Sequence, residues 1–171
     1  EAVAKAIKDF PMINVSVSGT NIIKRKDINI GMAAALPSGN LIVPVIKNAD
    51  RMNLVGLAKA VNELANNARN NKLKPEDIQG GTYTVTNVGT FGNVMGTPII
   101  NQPQVAILST DAIVRKPVVV AMPDGSESIA IHPMGHLSMS WDHRAFDGAY
   151  AGRFLSRVKQ ILETQDWSAE L

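Results

Sequence analysis

Apolar residues follow a three-four spacing in three stretches of this chain and alternate with polar ones through most of the rest. Val3, Ala6, Ile7 and Phe10 share one helical face, and Pro11 closes it. No capping residue precedes that helix, so the chain reads as starting inside an element. Leu54, Leu57, Ala58, Val61, Leu64, Ala65 and Ala68 predict a second helix over 53–73, capped by Asp50 or Asn53. Its polar side carries Lys59, Asn62, Glu63, Asn66 and Arg69. Ala151, Phe154, Leu155, Val158, Ile161 and Leu162 predict a third, from about Asp147 to Glu163.

The alternating stretches predict strands at 14–18 and 22–26 around the turn Gly19-Thr20-Asn21, then at 82–87, 105–109 and 137–141. Residues 118–120 and 128–132 pair across Pro123-Asp124-Gly125. Between Ile28 and Ile46 the sequence is nearly continuous apolar residues around Pro37-Ser38-Gly39-Asn40. This predicts a hairpin buried on both faces, or nearly so. Within it, Gly31 and Ala33 to Ala35 would let another backbone or a ligand come close, and Pro44 puts its strand at an edge or a bulge. Residues 74–78 read as a helical turn, 88–96 as a glycine-rich loop, 98–104 as an extended connection, and the tail from Gln165 as loosely structured. Many strands with two long, well-separated helices predict an α+β fold. Its mixed β-sheet is covered by helices on one face, in one domain over residues 1–171.

Composition narrows the function. With 171 residues the chain can bury its own core, and a net charge of +2 gives no reason to expect nucleic acid or a membrane as partner. Lys24-Arg25-Lys26 reads as a solvated strand edge. There is no cysteine, which excludes disulfides, a cysteine nucleophile and thiolate-bound metals. Any thioester chemistry here uses thiols carried by substrates. No stretch has the length of a membrane span or the pattern of a signal peptide. The expected compartment is the cytoplasm, or the mitochondrial matrix in a eukaryote.

The candidate chemistry lies where the strand Leu137–Trp141 runs into Asp142-His143-Arg144-Ala145-Phe146-Asp147-Gly148. A histidine at a strand end is backed by rigid structure and open to a substrate. Its ordinary pKa of about 6.5 suits proton transfer near neutrality. Asp147 precedes the last helix, where an acidic cap is expected, and capping and support of the site are compatible roles. Asp142 and Arg144 read as a structural ion pair. Thr86-Asn87-Val88-Gly89 ends another strand, and a hydroxyl there can donate to a developing oxyanion, although threonine also suits strands for its shape alone. His132 and His136 have a helical spacing that Pro133 and Gly135 forbid, so no metal is expected. The loop 89–96 lacks the Lys-Ser/Thr ending of a phosphate-binding loop.

The pattern His143-x-x-x-Asp147-Gly148, with Asp142 and Arg144 beside the histidine, resembles the active-site signature of the dihydrolipoyl acyltransferases of 2-oxo acid dehydrogenase complexes. Chloramphenicol acetyltransferase shares it more distantly. Residues 30–46, 80–87 and 97–104 resemble the same family in the same order, so the likeness covers essentially the whole chain. It implies a chloramphenicol acetyltransferase-like fold and transfer of an acyl group between dihydrolipoamide and coenzyme A, with coenzyme A as substrate and no metal. His143 would be the general base, Thr86 the oxyanion donor and Asp147 the acidic support. The family's sites lie between subunits, so a homotrimer and larger shells follow, with Leu171 and Trp167 joining trimers. The lipoyl group would sit on a domain absent from this chain. The decarboxylase and dihydrolipoyl dehydrogenase components would bind through absent domains too, and the start of the core would also be missing. Trp141 stands where the family has tyrosine, and Ala145-Phe146 replaces an aliphatic pair. Residues 152–162 are most similar to branched-chain members. Two alternatives remain: an inactive assembly core, and an acyltransferase with a different acceptor.

Overall fold

The computed structural model describes residues 1–36 and 38–170. Three helices form where the periodicity places them: α1 (Ala2–Asp9), α2 (Leu54–Arg69) and α3 (Gly148–Thr164). The second ends at Arg69, short of residue 73. Asn53 caps it, accepting from the Gly56 amide at 2.9 Å, while Asp50 instead pairs with Lys8.

Eleven strands are described: β1 (Val15–Ser18), β2 (Asn21–Lys24), β3 (Ile30–Met32), β4 (Ala34–Ala35), β5 (Leu41–Ile42), β6 (Val45–Ile46), β7 (Tyr83–Asn87), β8 (Ala106–Thr110), β9 (Val114–Ala121), β10 (Glu127–Met134) and β11 (Leu137–Trp141). Five of them form the central sheet in the order β11-β8-β7-β3-β6. Its middle pairs are parallel and its outer pairs antiparallel, so the sheet is mixed as expected.

Alternation along the strands sorts the two faces. Ile30, Tyr83, Val85, Ala106, Leu108, Leu137, Met139 and Trp141 point to one face. They pack with Ile7, Leu57, Ala151, Phe154 and Val158 from all three helices. Phe10 meets Tyr150 and Phe154 edge-on at 5.3 and 6.0 Å, and Phe154 meets Tyr83 at 5.8 Å, which locks α1 and α3 onto the sheet. Helices on one face of a mixed sheet are thus what the structure has. The other face carries Thr84, Thr86, Ser109, Ser138 and Ser140 beside the buried Val45 and Ile107, and is mainly polar.

Three expectations need correction. The apolar stretch from Ile28 to Ile46 is not buried along its length. Its base, β3 with β6, is buried, but the chain breaks at Val43-Pro44, and beyond that β4 and β5 pair as a separate tip where Leu41 is 66% exposed. Proline has no amide to donate, so the ladder stops there, and β6 lies at the sheet edge. At Gly31 the closest neighbours are side chains rather than backbone: a Cβ there would lie 2.8 Å from the Val43 side chain and 3.0 Å from the Thr84 hydroxyl. The tail is ordered over Trp167–Glu170. Glu170 binds Lys5, whose ammonium also lies 5.8 Å from the centre of the Trp167 ring. The strands at 114–134 are longer than the periodicity suggested, and β9 and β10 form a two-stranded ribbon beyond the β8–β11 pair.

Candidate active site

The pairing of β11 with β8 carries one rung past Trp141, where the Asp142 amide donates to the Val105 carbonyl at 2.7 Å. A tight turn follows, closed by the Ala145 amide on the Asp142 carbonyl at 2.9 Å. Ala145 and Phe146 are buried beneath it, and Phe146 stacks on Trp141 at 6.5 Å. Trp141, Ala145 and Phe146 therefore pack the underside of this turn. His143 projects from the top, exposed, its ring 6.1 Å from that of Trp141. Trp141 Nε1 is buried with no hydrogen-bond partner among the described residues.

Charge braces the turn on its outer side. The Arg144 guanidinium donates to both oxygens of Asp142, from Nη2 at 2.7 Å and from Nε at 3.0 and 3.2 Å, and the Arg144 amide adds a fourth bond at 3.0 Å. These bonds hold the Asp142 carboxyl below the usual carboxylate range and raise the arginine. Asp142 and Arg144 thus form the ion pair that the sequence suggested. Asp147 caps α3: its carboxylate accepts from the Tyr150 amide at 2.8 Å.

Thr86 lies elsewhere on the sheet. It pairs with Ser109 across β7–β8, and Ser109 pairs with Ser138 across β8–β11. Trp141 is three residues along β11 from Ser138, so Thr86 lies about 10 Å along the strands and about 10 Å across them from the strand end that carries His143. Within one chain the structure brings His143, Asp142, Arg144 and Asp147 together on one turn. It does not bring Thr86 to them.

Sequence reasoning missed Asp111. Its carboxylate is buried on the polar face and accepts from Ser109 Oγ at 3.1 Å and Ser138 Oγ at 3.3 Å. The alternation around β8 and β11 places the serines on that face, but nothing local signals that the chain bends at Asp111 and turns the acid inward. The other predicted groups play modest parts. His132 sits on β10 opposite Lys116, and the His136 carbonyl accepts from the Asp111 amide. Among the described residues no three His, Cys, Asp or Glu side chains are grouped to hold a metal ion, and no helix is long and apolar enough to cross a membrane. Lys24 lies on an exposed strand, and Arg25 beside it donates to Ser16 Oγ. Trp167 bonds the Leu162 carbonyl and packs on the core of its own chain. Leu171 lies outside the described residues.

The chain is similar to known proteins over nearly its whole length. Residues 1–168 match the model of the 2-oxoacid dehydrogenases acyltransferase (catalytic domain) family. The chain is 51% identical, over 97% of its length, to the lipoamide acyltransferase component of the branched-chain alpha-keto acid dehydrogenase complex of Bacillus subtilis, and it spans 38% of that relative's length. The crystal structure of a probable dihydrolipoamide acetyltransferase from Listeria monocytogenes superposes with a TM-score of 0.88 and 46% identity, covering 95% of this chain and 67% of that one. The dihydrolipoamide acetyltransferase of Azotobacter vinelandii superposes with a TM-score of 0.85 and 36% identity, covering 95% and 65%. That enzyme has been studied for the roles of a serine, a histidine and an asparagine in its catalytic mechanism. By its sequence over nearly its whole length and by its fold, the chain belongs to the family of 2-oxoacid dehydrogenase acyltransferase catalytic domains.

Proposed function

We propose that this chain moves an acyl group between S-acyl-dihydrolipoamide and coenzyme A, with His143 as the general base. The observation that carries the reading is the presentation of His143: an exposed imidazole on a turn fixed from below by Phe146 and from outside by the Asp142–Arg144 pair. In the Azotobacter enzyme the histidine and asparagine under study are four positions apart, the spacing of His143 and Asp147 here. His143 takes the proton from the coenzyme A thiol, and the thiolate sulfur attacks the thioester carbonyl carbon. The oxygen of the tetrahedral intermediate then carries the negative charge, and the Thr86 hydroxyl donates to it. As the intermediate collapses, the bond to the dihydrolipoyl sulfur breaks, and the imidazolium returns its proton to that leaving sulfur. Because Thr86 and His143 are far apart in one chain, the working site takes His143 from one copy and Thr86 from another, which makes an oligomer, in our reading a trimer, the active form. The likeness to the Bacillus relative favours a branched acyl group over acetyl.

The test is acyl transfer from S-acetyl- and S-isobutyryl-dihydrolipoamide to coenzyme A, with and without His143→Ala. We expect the substitution to lower turnover by about 10²-fold or more while light scattering shows the same assembly. Unchanged turnover sinks the assignment of His143. Absence of turnover in the unaltered assembled chain supports instead an assembly core without activity.

A further inference from the structure

The polar face of the sheet holds a buried acid that the acyl-transfer steps leave unused. Asp111 is 5% exposed and Ser109 fully buried. A carboxylate out of water must be met by donors, and here both oxygens are met by hydroxyls from neighbouring strands, Ser109 on β8 and Ser138 on β11. Ser109 is also the register partner of Thr86. Three hydroxyls, Thr86, Ser109 and Ser138, thus stand in one row across the sheet, and Asp111 accepts the protons of two of them.

The segment that follows Thr86 folds directly onto Asp111. Gly89 lies against its main chain, so that a Cβ there would meet the Asp111 carbonyl carbon at 2.5 Å. At Gly96 a Cβ would lie 3.2 Å from Asp111 Oδ1 and 2.9 Å from Ser109 Oγ. The Ala112 amide donates to the Asn93 carbonyl at 2.7 Å, and Val88 donates to Thr110 at 3.2 Å. The strand end that carries Thr86 and the glycine-rich loop beyond it are therefore seated around this one carboxylate.

We propose that Asp111 is a positioning residue for Thr86. It seats the end of β7 and the glycine-rich loop beyond it, and so holds the Thr86 hydroxyl where it donates to the substrate oxyanion. The inference rests on the oxyanion role given to Thr86. Without the carboxylate, Ser109 and Ser138 lose their common acceptor and the loop over it loses its seat, so the end of β7 shifts and the Thr86 hydroxyl with it.

The test is a double-mutant cycle on kcat and KM: Asp111→Ala and Asp111→Asn, each in the unaltered chain and in Thr86→Ala. Asp111→Ala is expected to lower kcat by about tenfold or more, with KM for both substrates within about twofold, since a small misplacement of a reacting group costs rate more than binding. Asp111→Asn should recover most of the loss, because its amide still accepts from one serine and donates to the other. In the Thr86→Ala background, Asp111→Ala should add nothing. An equal loss in both backgrounds, or no loss in the first, overturns the proposal. Should Asp111→Ala fail to fold, Ser138→Ala removes one of its two donors and is held to the same background dependence. A Thr86→Ala chain with undiminished turnover overturns the oxyanion reading and the Asp111 role together. A slowed Thr86→Ala chain beside an unaffected Asp111→Ala overturns the Asp111 role alone.

Discussion

His143 and Asp111 show how differently two single residues declare themselves. His143 is readable because its neighbours in sequence are also its neighbours in space: Asp142 and Arg144 clamp the turn, Phe146 fills it from below, and Asp147 follows within four positions. The Asp142–Arg144 pair has a consequence that a titration can check. Because the arginine holds the Asp142 carboxyl below its unfolded value, the pair stabilises the folded state fully above the ordinary carboxylate range. That stabilisation is lost as pH falls through the depressed folded value. The unaltered chain should therefore be more stable than Asp142→Asn at neutral pH, and the two should converge in denaturant midpoint as the solution is acidified below about pH 4. A gap independent of pH would mean that the carboxylate charge contributes nothing and only the shape of the turn matters. Asp111 gives no such local signal. Its partners Ser109 and Ser138 are joined to it by sheet register, and the loop over it returns from residues 89–96, so its burial is a property of the tertiary fold.

At the scale of elements, the helices were legible because amphipathic spacing and capping chemistry are both local. Asn53 and Asp147 sit where their side-chain oxygens reach amides three residues on. The hairpin between Ile28 and Ile46 was legible as a pair of strands. Its division at Pro44 into a buried base and an exposed tip was not, because apolar composition reports burial only when something covers the strand. The ordered tail was hidden for a similar reason: Glu170 is held by Lys5, at the other end of the chain. The cap of α3 separates two roles of Asp147. A cap needs an acceptor oxygen, whereas electrostatic support of an imidazolium needs charge. Asp147→Ala should cost about 1 kcal/mol of stability. Asp147→Asn should keep the cap, and with it the melting temperature, and keep turnover within about tenfold, because the amide oxygen still accepts from the Tyr150 amide. An Asp147→Asn chain with full stability and turnover lost as deeply as in His143→Ala would place the carboxylate charge itself in the chemistry.

At the scale of the whole molecule, the sheet has one face sealed by three helices and one face rich in hydroxyls, and the two halves of the proposed site lie at opposite ends of it. Strand order and register make this separation rigid. No side-chain rotation closes about 10 Å along three adjacent strands, so His143 and Thr86 of one chain cannot act on one carbonyl. In the proposed trimer, cyclic association brings the two together without bending the sheet, since a head-to-tail contact repeated around a ring sets one end of each copy against the other end of the next. This geometry gives a test that mutation of single sites does not. His143→Ala chains and Thr86→Ala chains are each impaired at every site. When they are co-expressed and assembled together, random mixing places an intact His143 opposite an intact Thr86 at roughly a quarter of the sites. Turnover of the mixed assembly should then rise well above that of either parent, toward that fraction of the unaltered rate, while mixing the two after separate assembly should restore nothing. If the co-assembled mixture stays at the average of its parents, the two residues serve one site within a single chain or no common site at all, and the proposed pairing across copies is wrong.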